Sequence, residues 1–312
     1  MRHLRVVATI AETGSLTKAA AALRLSQPGL SAQLRRIEQL LGGRLFDRGS
    51  NGVVPTALGG LVITRASAVL PTLDELLDLA ALAGRSDAQP SRLRLGSVTA
   101  PLLGGLISAV RARFPGAEIT AREQYSPLAL VEDVAVGRLE AAVVGDSPGY
   151  ELAARAGVAL HTVATEPVFA LLPAGHALAA RDEVDLADLA AEPWAVPRPD
   201  GDRTREYWAT ALSLAGHRIR VPYQAEGRLL IEIVRSGHAV SLCQATFQEL
   251  PGIAVRPLAG DPLWYRQILA WHENGPLAEA SEFIRRHVAE EYEHTCSRAT
   301  SFARWRARCQ PR

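Results

Sequence analysis

The stretch Gly145-Asp146-Ser147-Pro148-Gly149 carries the G-x-S-x-G spacing of a hydrolase nucleophile, directly after an apolar run at 139–144 that reads as a strand. Its chemistry would be acyl transfer from an exposed serine hydroxyl. The next residue defeats it. The position after such a nucleophile gives an N–H to the oxyanion and opens a helix, whereas Pro148 has no N–H and Gly149 disfavours a helix. The eight histidines form no metal-ligand cluster with acids or cysteines, and His176 reads as a turn or core-edge residue. Cys243, Cys296 and Cys309 are odd in number and lack metal-ligand spacing, which suits reduced thiols. Neither a GxGxxG fingerprint nor a phosphate-binding loop occurs. No catalytic constellation remains, and the expectation is a non-enzyme without metal or cofactor.

A second set of residues suits the reading of nucleic acid. After Ser26, a plausible helix cap, Leu30, Leu34, Ile37 and Leu41 recur at helical steps and form one apolar stripe. Pro28 fits the first turn, where helical N–H groups lack partners anyway. At 100° per residue, Pro28, Ser31, Ala32, Arg35 and Gln39 then point away from the stripe, with Arg36 on its flank and Gln27 at the helix start. In a major groove Gln pairs bidentately with adenine and Arg with guanine, while Ser or a second Arg holds phosphate. An ordinary solvated helix face carries the same pattern, so the helix alone leaves both readings open.

The elements that must position this helix separate the two readings. Upstream, Leu4, Val7, Ala8 and Ala11 give one short helix and 16–23 a second, capped by Ser15 and joined onward through Arg24-Leu25-Ser26. Downstream, Gly42-Gly43 ends the helix, Leu45-Phe46 returns to the core, and Arg48-Gly49-Ser50-Asn51-Gly52 reads as a hairpin turn before Val53-Val54. That is a wing. From Glu12 to Gly59, the order of Gly14-Ser15-Leu16-Thr17, Ala19-Ala20, Ser26-Gln27-Pro28, Leu30-Ser31, Arg36-Ile37-Glu38, Leu45-Phe46 and Thr56-Ala57-Leu58-Gly59 resembles the DNA-binding domain of LysR-type transcriptional regulators. The resemblance implies that Gln27, Pro28, Ser31, Ala32 and Arg35 or Arg36 face the operator, with Thr17, Arg48 and Thr56 near the DNA backbone. Ala32 stands where the family often has Arg, and Asn51-Gly52 and Val54 replace wing residues that are commonly basic. Fewer phosphate contacts are expected, in the usual docking geometry.

Charge follows the same division. Residues 1–58 hold eight basic side chains against three acidic ones, a balance of +5, and since the whole chain carries +1 the remainder carries −4. The positive field thus belongs to the small domain that would approach phosphate. A fraction of 48% hydrophobic and 21% charged residues suits globular domains, and no apolar run approaches the roughly 18 residues of a membrane span. Residues 1–14 lack a signal-peptide cleavage site, so a cytoplasmic, nucleoid-associated location with no membrane partner is expected. From 58 to 83, Val62, Ala66, Val69, Leu73, Leu76, Ala80 and Ala83 alternate steps of four and three. That heptad seam predicts a long helix paired with a second copy, or packed on its own domain, with Pro71 kinking it and 84–91 as hinge.

Beyond 92, short apolar runs alternate with helical stretches, which predicts crossover helices around a largely parallel sheet in each of two lobes. Phe114-Pro115, Gly137-Arg138-Leu139-Glu140-Ala141-Ala142-Val143, Pro173 with His176-Ala177-Leu178, and Val234-Arg235-Ser236-Gly237 resemble the LysR-type effector domain, itself similar to periplasmic binding proteins. Glu140 replaces a common Asp, and Ala239 and Gln244 replace a Gly and a Pro.

The expected fold is α/β overall: an all-α winged helix-turn-helix at 1–58, a dimerising linker helix and hinge at 59–91, and a two-lobed effector domain at 92–292. Lobe I takes about 92–162 and 267–292, lobe II about 163–266. Residues 293–312, rich in Arg, read as a solvated tail, with an auxiliary nucleic-acid contact as the alternative. Ligands of open α/β sheets gather beyond the carboxyl ends of strands, which nominates Ser97, Val98, Thr99, Tyr125, Ser126, Asp146, Arg198 and Glu226. Helix N-termini near Thr99 and Ser126, with Arg198, would suit an organic anion. The family resemblance implies a regulator that binds double-stranded DNA as a homodimer or homotetramer and senses a small-molecule effector, with RNA polymerase a further candidate partner. Two rivals are a metabolite-binding protein with an inactive DNA head and an enzyme with an appended DNA domain.

Overall fold

A helix-turn-helix leaves little room between its helices, and the backbone here takes the needed bend at Arg24, which adopts a left-handed φ of 55°. The computed structural model describes residues 2–49, 52–83, 90–98, 102–198 and 203–309. It divides into two units, Met1–Ala88 and Gln89–Arg312.

The first unit runs α1 (Arg2–Thr13), α2 (Leu16–Ala22), α3 (Gln27–Leu40), β1 (Phe46–Gly49), β2 (Gly52–Pro55) and α4 (Ala57–Ala83). Ser15 caps α2 by accepting from Lys18 N, and Ser26 caps α3 by accepting from Gly29 N at 3.2 Å, as both sequence positions lead one to expect. Val6, Val7 and Ile10 of α1 join Leu30, Leu34 and Ile37 of α3 and Leu45 and Phe46 in one core. Leu41, read as the end of the α3 stripe, is instead the exposed residue that ends the helix. β1 and β2 form the expected antiparallel wing, with Gly49 opposite Gly52. The step into α4 is tight: a Cβ at Gly59 would lie 1.9 Å from Leu45 O, so only glycine fits. α4 continues as one helix through Pro71, and most of the expected hinge at 84–91 lies outside the described residues.

In the second unit β3 (Arg92–Ser97), α5 (Leu103–Arg113), β4 (Glu118–Glu123), α6 (Pro127–Ala135) and β5 (Ala141–Asp146) build lobe I, with β3 parallel to both β4 and β5. Glu140 is buried and ion-paired to Arg94 at 2.8 Å. β6 (Val158–Pro173) leads into lobe II, which adds β7 (Pro193–Val196), α7 (Thr204–Leu214), β8 (Arg220–Gln224), α8 (Gly227–Arg235), β9 (Ser241–Gln244) and β10 (Ile253–Pro257). β11 (Trp264–His272) returns to lobe I, followed by α9 (Ser281–Arg298) and α10 (Thr300–Cys309).

Three elements differ from expectation. The sheet is mixed, because β6 and β11 pair antiparallel along their length and carry the order β10-β6-β11-β5-β3-β4 across both lobes. The boundary between lobes expected near 163 falls inside one continuous strand, since β6 runs through it and on through Glu166-Pro167. Pro167 sits where the strand changes neighbours, and its carbonyl still accepts from Ala245 N at 3.1 Å. Finally, the expected solvated tail is a packed helix: Phe302 and Ser301 of α10 are buried.

The crossing point holds a buried carboxyl. Glu166 is fully buried and accepts from Thr246 N and Thr246 Oγ1, both at 3.0 Å, and from Gln267 Nε2 at 2.6 Å. Burial pushes its pKa up to about 7 against hydrogen bonds from Gln267, Thr246 and Tyr292 that pull it down.

Candidate nucleic-acid interface and ligand cleft

In the first unit the buried Leu30, Leu34 and Ile37 fix the rotation of α3, leaving Gln27, Pro28, Ala32, Arg35 and Arg36 exposed. Thr17 on α2 is exposed as well. Arg24, Arg44 and Lys18 add exposed charge to the same unit, so short polar side chains and guanidinium groups stand together over a rigid core. That arrangement can hydrogen-bond base edges and phosphate oxygens.

Two expected contact residues have other work. Ser31, read as pointing away from the stripe, is only 5% exposed, because it lies on the stripe's flank and its small side chain tucks against the core. Its Oγ accepts from Gln27 Nε2 at 3.4 Å, which orients the glutamine amide. Thr56 is half-buried, and its hydroxyl donates to Arg44 O at 2.7 Å while accepting from Gly59 N at 3.0 Å. The only O–H is thus spent on the entry to α4, and a phosphate oxygen needs a donor. The Arg48 side chain lies outside the described residues, and Val54 on β2 is 65% exposed.

In the second unit the lobes meet at two clusters. Tyr125, just before α6, comes close to the start of α8: a Cβ at Gly227 would lie 2.8 Å from Tyr125 Oη. Burial, then Glu123 and Glu226, push the Tyr125 phenol above its ordinary pKa, with Arg198 opposing. Arg198 and Glu226 pair at 3.6 Å, and Arg198 N also donates to Glu226 Oε1. Arg198 therefore meets a carboxylate of its own lobe, and does not offer an uncompensated charge to an anion as the sequence suggested. Ser126 accepts from Ala129 N at 3.3 Å, so the start of α6 already has its cap. Ser97 ends β3 and is buried, Val98 N bonds to Val143 O, and Thr99 lies outside the described residues. Asp146 is buried and held by Arg266 at 2.7 and 2.8 Å and by Leu152 N at 2.7 Å.

The second cluster escaped sequence reasoning. A concavity lined by Leu128, Asp146, Tyr150 and Leu152 of lobe I also takes Arg203 and Thr204 of lobe II. The Arg203 guanidinium lies 4.5 Å from the Tyr150 ring centroid, Tyr150 Oη bonds to Thr210 Oγ1 at 3.0 Å, and the Tyr150 and Tyr207 rings are 5.2 Å apart. The starts of α7 and α8 have no side-chain cap hydrogen bond, and lobe I approaches both, through the concavity at α7 and through Tyr125 at α8. A signal was present: the same strand-end rule that nominated Asp146 extends to the turn that follows it. Ser147-Pro148-Gly149-Tyr150 is that turn, closed by Tyr150 N to Ser147 O at 2.9 Å with Gly149 at φ 80°. It does not open a helix as a nucleophile elbow would.

Burial raises the pKa of Cys243 and lifts that of Cys296 to about 11, which keeps both thiols protonated at neutral pH. Among the described residues no group of three or more His, Cys, Asp or Glu could hold a metal ion, and no helix is long and apolar enough to cross a membrane.

Residues 1–60 match the family described as bacterial regulatory helix-turn-helix protein, lysR family, and residues 86–293 match the LysR substrate binding domain. The small neutral protease regulatory protein of Streptomyces lividans is 38% identical over 308 residues, covering 98% of this chain and 86% of that protein. The transcriptional regulator CbbR of Sinorhizobium medicae is 32% identical over 224 residues, covering 70% of this chain and 68% of that protein. The crystal structure of full-length CbnR complexed with target DNA aligns with a TM-score of 0.61 at 21% identity, over 92% of this chain and 99% of that one. HinK from Pseudomonas aeruginosa, a LysR family regulator, aligns with a TM-score of 0.54 at 22% identity, over 93% and 97%. At such identities the solved structures speak for the fold.

Proposed function

The chain belongs to the LysR family of bacterial transcriptional regulators, and we propose that α3 reads operator bases while a small molecule between the lobes of the second unit modulates that binding. The observation that carries this reading is the rotation of α3, whose buried stripe leaves Gln27, Pro28, Ala32, Arg35 and Arg36 exposed together. Gln27 and Arg35 or Arg36 take base edges, Thr17 and Arg48 approach phosphate, and Ser31 and Thr56 act by holding α3 and the wing in place.

The effector site lies where Tyr125, Ser126, Arg198 and Glu226 meet, continuing to Ser97, Val98 and Asp146 and to the Tyr150–Arg203 concavity. An organic acid of modest size fits best, its carboxylate directed at the uncapped starts of α7 and α8. With Asp146 and Glu226 both ion-paired to arginines, those carboxylates repel an anion less than their number suggests. The protein acts by binding, not catalysis, in the cytoplasm on nucleoid DNA. It works as a homodimer or homotetramer through α4, with RNA polymerase contacted at activated promoters.

Mapping genome occupancy of the native protein, with and without added organic acids, tests the reading. Discrete sites sharing one motif, shifted by a metabolite, are expected; a purely non-specific profile would overturn it. The relatives named small neutral protease regulatory proteins make a small neutral protease gene, where the genome holds one, the first promoter to examine.

A further inference from the structure

α9 and α10 join the two lobes over the crossing strands. α9 packs on α5 of lobe I and sends Val288, Tyr292 and Cys296 into the core there. The chain then turns at Ala299, and α10 packs on β10 of lobe II. Its attachments on that side are specific. Ser301 Oγ reaches Val255 O at 2.9 Å, Trp305 Nε1 donates to Asp261 Oδ1 at 3.0 Å, and Arg308 pairs with Glu183 at 2.9 Å. Arg306 pairs back to Glu293 of α9 at 2.8 Å and so holds the corner.

Between these anchors α10 grips both crossing strands. Phe302 and Trp305 lie 6.1 and 6.4 Å from Phe169 of β6, edge to face, and Trp305 lies 6.3 Å from Trp264 of β11. Phe169 is the second residue of β6 to pair with β9, and Trp264 is the first residue of β11. The aromatic cluster thus sits where both strands leave one lobe for the other. The backbone of Trp264 also reaches towards the cleft: its main-chain N–H donates to Tyr207 Oη at 2.9 Å, and the Tyr207 ring lies 5.2 Å from that of Tyr150, which lines the concavity.

We propose that α10 is a strap across the hinge that fixes the angle between the lobes, so that opening or closing the cleft works against the Phe302–Trp305 grip on Phe169 and Trp264. A hinge made of two strands alone would bend freely about its crossing. A helix fastened to one lobe through α9 and to the other through Asp261 and Glu183 removes that freedom. Through Trp264 the strap touches the residue that anchors the cleft's tyrosine pair, which links a bound molecule to the restraint. That consequence rests on the effector reading above; the restraint itself does not.

The test needs no ligand. Spin labels are placed at Val136→Cys on lobe I and Leu214→Cys on lobe II, positions 51% and 86% exposed, in the full chain carrying Cys309→Ser and diluted with unlabelled chain. Pulsed electron spin resonance then reads the distance between lobes. Adding Phe302→Ala with Trp305→Ala should widen and shift the distance distribution while circular dichroism stays native. Should that variant fail to fold, Arg306→Glu with Arg308→Glu loosens the same helix from its surface anchors and should widen the distribution to a smaller degree. A folded variant whose distribution superimposes on that of the parent overturns the strap and leaves α10 as ordinary packing. The cleft reading would survive that result, and a cleft that bound no metabolite would leave the strap standing.

Discussion

Glu166 on one crossing strand and Gln267 on the other share a hydrogen bond of 2.6 Å, Gln267 donating, with no solvent at either side chain. Gln267 Oε1 is itself buried without a hydrogen-bond partner. Burial favours the neutral acid, and the hydrogen bonds from Gln267, Thr246 and Tyr292, which favour the carboxylate, offset it only in part.

Stability should therefore fall as pH rises. Below about 4.5 the carboxyl is protonated folded or unfolded; between 4.5 and about 7 only the folded state keeps the proton; above that, the folded state holds a buried charge. The gap is worth about 3 kcal/mol. Glu166→Gln keeps the shape and removes the charge, so its melting temperature should drop less than the parent's between pH 5 and pH 8. Cys243, Cys296 and Tyr292, the titratable neighbours, all have raised pKa values and stay neutral in this window. Equal drops in both proteins would show that Glu166 does not carry the dependence.

On α3, Gln27→Ala and Arg35→Ala should each weaken binding to the native operator by about 1–3 kcal/mol at matched salt while leaving the melting temperature unchanged. Ser31→Ala should cost less, since its hydroxyl orients Gln27 from a buried position. Fluorescence anisotropy on operator and scrambled duplexes separates lost specificity from lost charge. Unchanged affinity in both exposed variants would mean that another face of the unit meets DNA.

The first unit was legible because each of its devices is local. Ser15 and Ser26 cap helices three residues away, the 30-34-37 stripe fixes one rotation, and Gly49 pairs with Gly52 in the wing. Ser31 was misread because a residue on a stripe's flank is buried or exposed according to its size, and a wheel carries no size. In the second unit the strand ends were found, but partners set by chain folding over long separations were not. Arg198 meets Glu226 and Asp146 meets Arg266 across 28 and 120 residues, and no periodicity encodes such pairs. In sequence α10 reads as a tail because its apolar residues, Phe302 and Trp305, are too few to mark a face without Phe169 and Trp264 beneath them.

Along α4, Val69 and Leu76 are 51% and 59% exposed within one chain, on the seam that the heptad spacing nominates for a second copy. Val69→Asp with Leu76→Asp should leave the isolated chain folded and place charge in an apolar interface, where it is costly. Sedimentation velocity should show smaller species, and operator affinity should fall with the loss of paired heads. An unaltered oligomer would remove α4 from the interface.

For the cleft, thermal-shift screening of organic acids against the native protein should yield a ligand whose stabilisation follows its concentration. Arg203→Ala removes the guanidinium that covers Tyr150, and Arg198→Ala unbalances Glu226 beside Tyr125. If the carboxylate sits between the lobes, both variants should reduce the shift, Arg198→Ala through the repulsion of a Glu226 charge that the guanidinium no longer offsets. Glu226→Gln should then strengthen the same anion's binding, because it removes that repulsion while keeping a side-chain acceptor for Arg198 N. A cationic effector reverses the last sign, so the Glu226 variant decides the charge class, and a ligand indifferent to all three changes binds somewhere else.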